Sequence, residues 1–260
     1  MILRGDYMSD ILHTTVNISF MIPEKRGDEP YKIAYLLHGL HGNSGTWINN
    51  TMLPYYGKDY DAIIAMPEVG RSFYCNQKYG RNYYTFISEE LPQICKRIFN
   101  ISEKREDTAV IGNSMGGYGA LRMAFSKPGQ YGFCGAISPA CLYFGPIVDG
   151  LRKDPSAYLK TGREAEETLK DLYSIYGEEL GYLPESDVPY LVKNYPTDIP
   201  KPKVYVNCGT EDNLLKENHK FREEMKGMSF DFTYEEWSGG HEWDFFNEGL
   251  KKTFEFWLKG

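Results

Sequence analysis

The chain has 260 residues, a formal net charge of −7, and Lys and Arg scattered among a larger number of Asp and Glu. Nucleic acid demands clustered cations, so that partner is excluded. No apolar run approaches the roughly 18 residues that a membrane span needs, so no membrane partner is expected.

The length suits one large α/β domain, taken here as residues 1–260. The first ten residues, "MILRGDYMSD", hold two acids where an export signal would need an apolar stretch, so a cytoplasmic location is expected. "HTTVNISFMIP", from His13, alternates and is rich in β-branched residues, which predicts a strand. Five continuous apolar runs follow: "KIAYLLHG", "DAIIAMPE", "TAVIGNS", "FCGAISPA" and "PKVYVNCG". Runs of this kind fit strands covered on both faces, as in a parallel sheet.

Helical patterns separate them. Ile87, Leu91, Ile94 and Ile98 share a helical stripe, with Pro92 marking a first turn or a kink. "YGALRMAFSKP" and "LLKENHKFREEM" are two more, and Phe246, Leu250, Phe254 and Trp257 form a C-terminal stripe. Alternation of this kind predicts a doubly wound, mostly parallel sheet. Residues 141–200 break the rhythm: they offer a helical stretch near Arg163 to Tyr176, several tyrosines and no strong strand. The segment is long for a connection and is read as an inserted helical cap. Aromatics exposed on it would suit a homo-oligomer.

The five cysteines are odd in number and widely spaced, with no CxxC and no HExxH. Buried reduced thiols are expected, and neither metal nor cofactor.

Gly112-Asn113-Ser114-Met115-Gly116 matches G-x-S-x-G. The pattern alone is weakly specific; its place between a strand and a helix gives it weight. Such a turn holds its serine at an unfavourable φ and brings the flanking residues close together, which calls for glycine on both sides. It also aims the N–H of Met115, at a helix start, toward a developing oxyanion. The bland reading is a tight turn with a bystander serine.

A serine nucleophile needs a base. In strand-ordered hydrolases the acid and then the histidine follow the serine. His219 and His241 lie far enough along, and His241, in the loop of "SGGHEWDFF", is preferred over His219 on a helix. The acid should follow the run "VYVNCG"; Asp212 is preferred over Glu211. The glycine turn "HGLHGNSGTW" offers the Leu40 N–H as a second oxyanion donor, with His38 and His41 read as packing the turn. Trp47 and Trp243, beside these residues in sequence, are candidates for substrate contact.

The blocks "LLHGLHGNSGTW", "SFYCNQKYGRNYYTFISEELP", "GNSMGGYGALRMAF", "CGTEDNLLKENHKF" and "GGHEWDFF" occur in this order. With them the chain resembles the esterase D-like family of α/β-hydrolases: tributyrin, feruloyl and acetylxylan esterases and S-formylglutathione hydrolases. The resemblance implies an α/β-hydrolase fold, Ser114 as nucleophile, Asp212 as acid, His241 as base, and Leu40 and Met115 as backbone donors. Asn113 is a departure, because many relatives carry His there. The ending "HEWDFF" looks more like the tributyrin and feruloyl branch. The expectation is a cofactor-free serine carboxylesterase acting on small-molecule esters with short acyl, acetyl or hydroxycinnamoyl groups. The alternatives are an S-formylglutathione-type thioesterase, an acyltransferase with the same triad, and a non-catalytic binding protein.

Overall fold

A computed structural model of the chain describes residues 1–24, 29–159 and 163–259. Its strands are β1 (Ile2–Ser9), β2 (Thr14–Met21), β3 (Lys32–Leu37), β4 (Ala62–Pro67), β5 (Thr108–Asn113), β6 (Phe133–Ile137), β7 (Lys203–Gly209) and β8 (Phe232–Trp237). They form one sheet in the order β1-β2-β4-β3-β5-β6-β7-β8. The β1–β2 and β2–β4 pairs are antiparallel. From β4 onward every neighbouring pair is parallel, as the apolar runs lead one to expect.

The pleat sends Ile33, Tyr35, Leu37 and Val110 to one face and Ala34, Leu36, Ala109 and Ile111 to the other. The first face is covered by α1 (Leu91–Ile98), α2 (Met115–Ser126), α3 (Phe144–Lys153), α4 (Arg163–Tyr176) and α5 (Leu215–Lys226). The second is covered by the short helix Thr46–Asn50 and by α6 (Trp243–Lys259). Phe246, Leu250, Phe254 and Trp257 of α6 are all buried; each contributes about 1.5–3 kcal/mol by leaving water. Between β6 and β7 the described residues form helices and turns and no strand.

One local feature departs from the sequence reading and a second refines it. β1 has no counterpart in it, because Ile2 through Asp6 are exposed and the strand carries no alternating apolar signal. It exists through its antiparallel pairing with β2, from Ile2 opposite Met21 to Ser9 opposite Thr14. Pro92 lies in the first turn of α1, one of the two places expected for it, but α1 is not a free helix start. Residues Phe86–Glu90 widen into a π-helical turn that runs directly into α1. The Ser88 carbonyl, the one a proline at 92 cannot bond, accepts a hydrogen bond from Gln130 Nε2 at 3.0 Å.

The doubly wound order brings the C-terminal ends of β3, β5, β6, β7 and β8 to one edge. The loops that leave that edge carry Leu40, Ser114, Asp212 and His241.

Candidate active site

Ser114 follows β5 directly, with φ 53° and ψ −121°. A residue with a Cβ holds such a conformation at a cost of about 1–3 kcal/mol, so its surroundings must enforce it. They do so with hydrogen bonds on both sides. The Ser114 N–H donates to the Ile137 carbonyl at 3.0 Å, and the Ser114 carbonyl accepts from Tyr118 N–H at 3.0 Å and Ala140 N–H at 3.1 Å. Sterics complete the turn. A Cβ on Gly112 would stand 2.3 Å from the Gly116 carbonyl oxygen, and one on Gly116 would stand 2.4 Å from that of Leu37. The next glycines serve loops rather than the sheet: a Cβ at Gly117 would meet Pro139, and one at Gly119 would meet the Tyr74 ring at 2.5 Å.

His241 sits in the loop between β8 and α6. Its Nε2 is 2.9 Å from Ser114 Oγ, and its Nδ1 is 2.8 Å from Asp212 Oδ2. A carboxylate only accepts, so Nδ1 carries the proton and Nε2 is left to accept from the serine hydroxyl. The Asp212 side chain is 0% exposed, and its Oδ1 accepts the Leu214 N–H at 2.8 Å. Burial pushes this carboxyl upward, but the bonds from His241 and Leu214 outweigh it and hold its pKa below the ordinary value.

Glu211, the other candidate acid, points elsewhere. Its exposed carboxylate accepts the Gly239 N–H and the Thr210 hydroxyl, stitching the turn that leads to His241. His219 is likewise remote in its bonding, with Nε2 2.7 Å from Glu236 on β8.

The 38–42 turn runs beside the serine. A Cβ on Gly39 would lie 3.5 Å from Ser114 Cβ and 3.4 Å from Asn113 Nδ2, so the buried Asn113 side chain packs beneath that turn. Leu40 follows, half-buried. Met115 is the first residue of α2, where an N–H has no partner within the helix. His38 is 1% exposed. Its Nδ1–H donates to the Gly39 carbonyl at 2.7 Å, and its Nε2 accepts the Val69 N–H at 3.1 Å. Both nitrogens are used by the neutral ring, and burial pulls its pKa down to about 4. His41 is exposed and lies 3.2 Å from Glu164 of α4, which also pairs with Arg71 at 2.9 Å.

Of the two tryptophans, Trp47 is 1% exposed and donates its Nε1–H to the Leu37 carbonyl at 3.1 Å. It props the end of β3 and turns no face to a ligand. Trp243 keeps partial exposure; it packs edge-on against Trp47 and Phe246, and Phe246 in turn meets the His241 ring edge-on at 5.0 Å.

Two supporting residues escaped the sequence reading. The Tyr74 hydroxyl donates to the His38 carbonyl at 2.8 Å. Glu217 of α5 accepts the Leu142 N–H at 2.6 Å, bracing the chain just past β6. Neither belongs to a motif; each is recognisable only once its backbone partner is in place. Among the described residues no group of His, Cys, Asp and Glu could hold a metal ion, and no helix is long and apolar enough to cross a membrane.

Residues 9–256 match the esterase family described as "Putative esterase". The chain is similar to an acetyl esterase of Caldicellulosiruptor saccharolyticus, 28% identical over 271 residues that cover 99% of this chain and 98% of the other. Among solved structures it is similar to FphF, a fluorophosphonate-binding serine hydrolase of Staphylococcus aureus, with a TM-score of 0.83 and 24% identity over 99% of this chain and 98% of that one. It is also similar to the S-formylglutathione hydrolase FrmB of Staphylococcus aureus, with a TM-score of 0.82, 24% identity and the same coverage. These two likenesses show a shared α/β-hydrolase fold.

Proposed function

The chain belongs to this esterase family and is a carboxylic ester hydrolase, and we propose that it works through Ser114, His241 and Asp212 by way of an acyl-enzyme. The observation that carries this reading is the unbroken hydrogen-bond chain from Ser114 Oγ through His241 to Asp212, at 2.9 and 2.8 Å, assembled from three separate loops. Ser114 Oγ attacks the ester carbonyl while His241 Nε2 takes its proton. The N–H groups of Leu40 and Met115 bind the oxyanion that forms. The tetrahedral intermediate collapses, and His241 returns the proton to the departing alcohol. Water, deprotonated by the same nitrogen, then releases the acid and restores Ser114. Asp212 keeps the imidazole in the productive tautomer and offsets the charge of the imidazolium.

The proposed substrates are small esters with short acyl groups, acetyl first, and hydroxycinnamoyl esters second. The similarity to an acetyl esterase supports acetyl. Residues 141–200 would cap the site, and Trp243 is the aromatic nearest His241 in sequence that keeps an exposed surface.

The expected result is that Ser114→Ala folds, loses p-nitrophenyl acetate hydrolysis and no longer takes a fluorophosphonate label. Retained hydrolysis in that variant would overturn the nucleophile. An ester panel varying acyl length and aromaticity, with S-formylglutathione included, separates ester from thioester preference by kcat/KM. Acyl transfer to an added alcohol exceeding hydrolysis would instead mark an acyltransferase.

A further inference from the structure

β1 ends the sheet, so one of its edges has no neighbouring strand. Its pairing with β2 decides which backbone groups lie on that edge. The Ile22 N–H donates to the Met1 carbonyl at 2.8 Å, so Met1 faces β2. Asn17, opposite Asp6, turns its carbonyl away to accept the Glu68 N–H at 3.1 Å. An antiparallel ladder alternates, so Leu3, Gly5 and Tyr7 bond to β2, while Ile2, Arg4, Asp6 and Met8 point their N–H and C=O groups outward. Among the described residues no hydrogen bond reaches these outward groups.

Open edges are normally blunted by proline, lysine or a bulge. β1 has none of these: its register with β2 is unbroken from Ile2 to Ser9. Its exposed side chains include Ile2 (40%), Leu3 (41%) and Met8 (62%). β8, at the other end of the sheet, is half-buried for most of its length, and its Glu235 and Glu236 already pair with Lys252 and His219.

The strand "ILRGDYMS" is also complementary to itself. A second copy laid antiparallel on this edge must bring outward residues opposite outward residues. A two-fold axis at Gly5 sets Ile2 opposite Met8 and Arg4 opposite Asp6, each pair occurring twice. An axis at Arg4 would oppose two arginines, and one at Asp6 would oppose two aspartates, which is destabilising. Axes further out pair only one end of the strand. The axis at Gly5 therefore fixes the register through charge. Both charges are available: Arg4 gives one bond to Asn49 Oδ1 at 2.9 Å, and the Asp6 side chain has no hydrogen bond or ion pair among the described residues. A Cβ at Gly5 would meet nothing within 4 Å, so no described part of the chain overhangs the middle of the strand on that face.

We propose that the chain forms a homodimer along β1, the two sheets running into one across a two-fold axis at Gly5. Each opposed outward pair exchanges two backbone hydrogen bonds. Arg4 meets Asp6 of the second copy on one face, flanked by Ile2 against Met8, and Leu3 meets the Tyr7 ring on the other. The contact is isologous, so it closes at two chains.

The test is sedimentation velocity of the full chain across the micromolar range. The expected species at the upper end has twice the mass of one chain. Asp6→Arg and Arg4→Asp each set like charges opposite one another twice and should raise the dimer Kd at least about tenfold. Both positions are exposed, so folding is not at stake. The double variant restores opposite charges and should dimerise like the parent, and the two single variants mixed in equal amounts should pair with each other. Gly5→Cys sets two thiols across the axis, where facing Cα atoms stand about 4.5 Å apart, within disulfide reach. Oxidised glutathione should link that variant into a dimer on a non-reducing gel and leave Leu3→Cys and the parent unlinked. A chain that stays monomeric at every concentration overturns the proposal. So does a dimer unmoved by Asp6→Arg, which would be seated on another face, the helical cap included, and so does a double variant that fails to recover. None of these measurements reads ester hydrolysis, so they stand apart from the assignment of Ser114.

Discussion

Asp212 and Glu211 are adjacent carboxylates, and exchanging each for its amide separates them sharply. In Asp212→Asn the side chain stays buried between two fixed donors. The Leu214 N–H, 2.8 Å from Oδ1, can only donate, so the single amide oxygen is drawn to it. The amide NH₂ then faces His241 Nδ1, where Oδ2 had stood at 2.8 Å. Two donors cannot face each other, so the imidazole must give up its Nδ1 proton and carry it on Nε2 instead. In that tautomer Nε2 no longer accepts from the Ser114 hydroxyl, 2.9 Å away. A wrong tautomer in an otherwise intact triad lowers kcat by about 10⁴-fold. Glu211→Gln keeps an oxygen for the Gly239 N–H and should leave kcat within about twofold, with at most about 1 kcal/mol lost from the turn. Steady-state hydrolysis of p-nitrophenyl acetate reads both. If Asp212→Asn stays within tenfold of the parent, or Glu211→Gln falls as far as Asp212→Asn, the tautomer argument fails.

Other substitutions probe the frame. Ser114→Gly removes the Cβ that is unfavourable at φ 53° and should be about 1 kcal/mol more stable than Ser114→Ala by urea denaturation; a less stable glycine variant would contradict the strain. Gly119→Ala pushes a methyl to 2.5 Å from the Tyr74 ring and should cost about 1–3 kcal/mol, with a fall in kcat as the His38 carbonyl loses its anchor. Unchanged stability and unchanged kcat together would dismiss that link. His38 stays neutral in the fold down to about pH 4, whereas in the unfolded chain it takes a proton near 6.5. Its contribution is therefore complete above about pH 6.5 and shrinks by about 3 kcal/mol as pH falls to 4. Stability of His38→Gln measured across that range should slope less steeply than the parent, and parallel slopes would refute the assignment. Asp212 acts lower down. Its depressed carboxyl adds stability above the ordinary carboxylate pKa and loses it as pH falls through the folded value.

The sheet was legible because β3 to β7 are continuous apolar runs with glycine or proline at their ends, a local signal. β1 was illegible because its stability lies wholly in its partner strand. Ser114, Asp212 and His241 could be read from order and loop position, since the fold obliges such groups to lie at strand ends. Trp47 could not be read this way. Proximity in sequence to Leu40 says nothing about which face of the sheet a ring will enter, and this one turns under β3. Gly117 and Gly119 were visible as glycines, but their reason is the Pro139 and Tyr74 loops, which no local pattern announces. Tyr74 and Glu217 act on backbone carbonyl and N–H groups, which are the same in every sequence.

Ser114 and His241 are separated by 127 residues of chain. The β7–β8 pairing and the helix α6 that flank the histidine are encoded after the nucleophile, although α6 docks on a sheet face laid down before it. During synthesis the serine is finished long before its base exists, so a nascent or C-terminally truncated chain carries an unarmed hydroxyl. Reactivity becomes a late reward of completed topology, and ester cleavage can serve as a reporter that the last helix has docked.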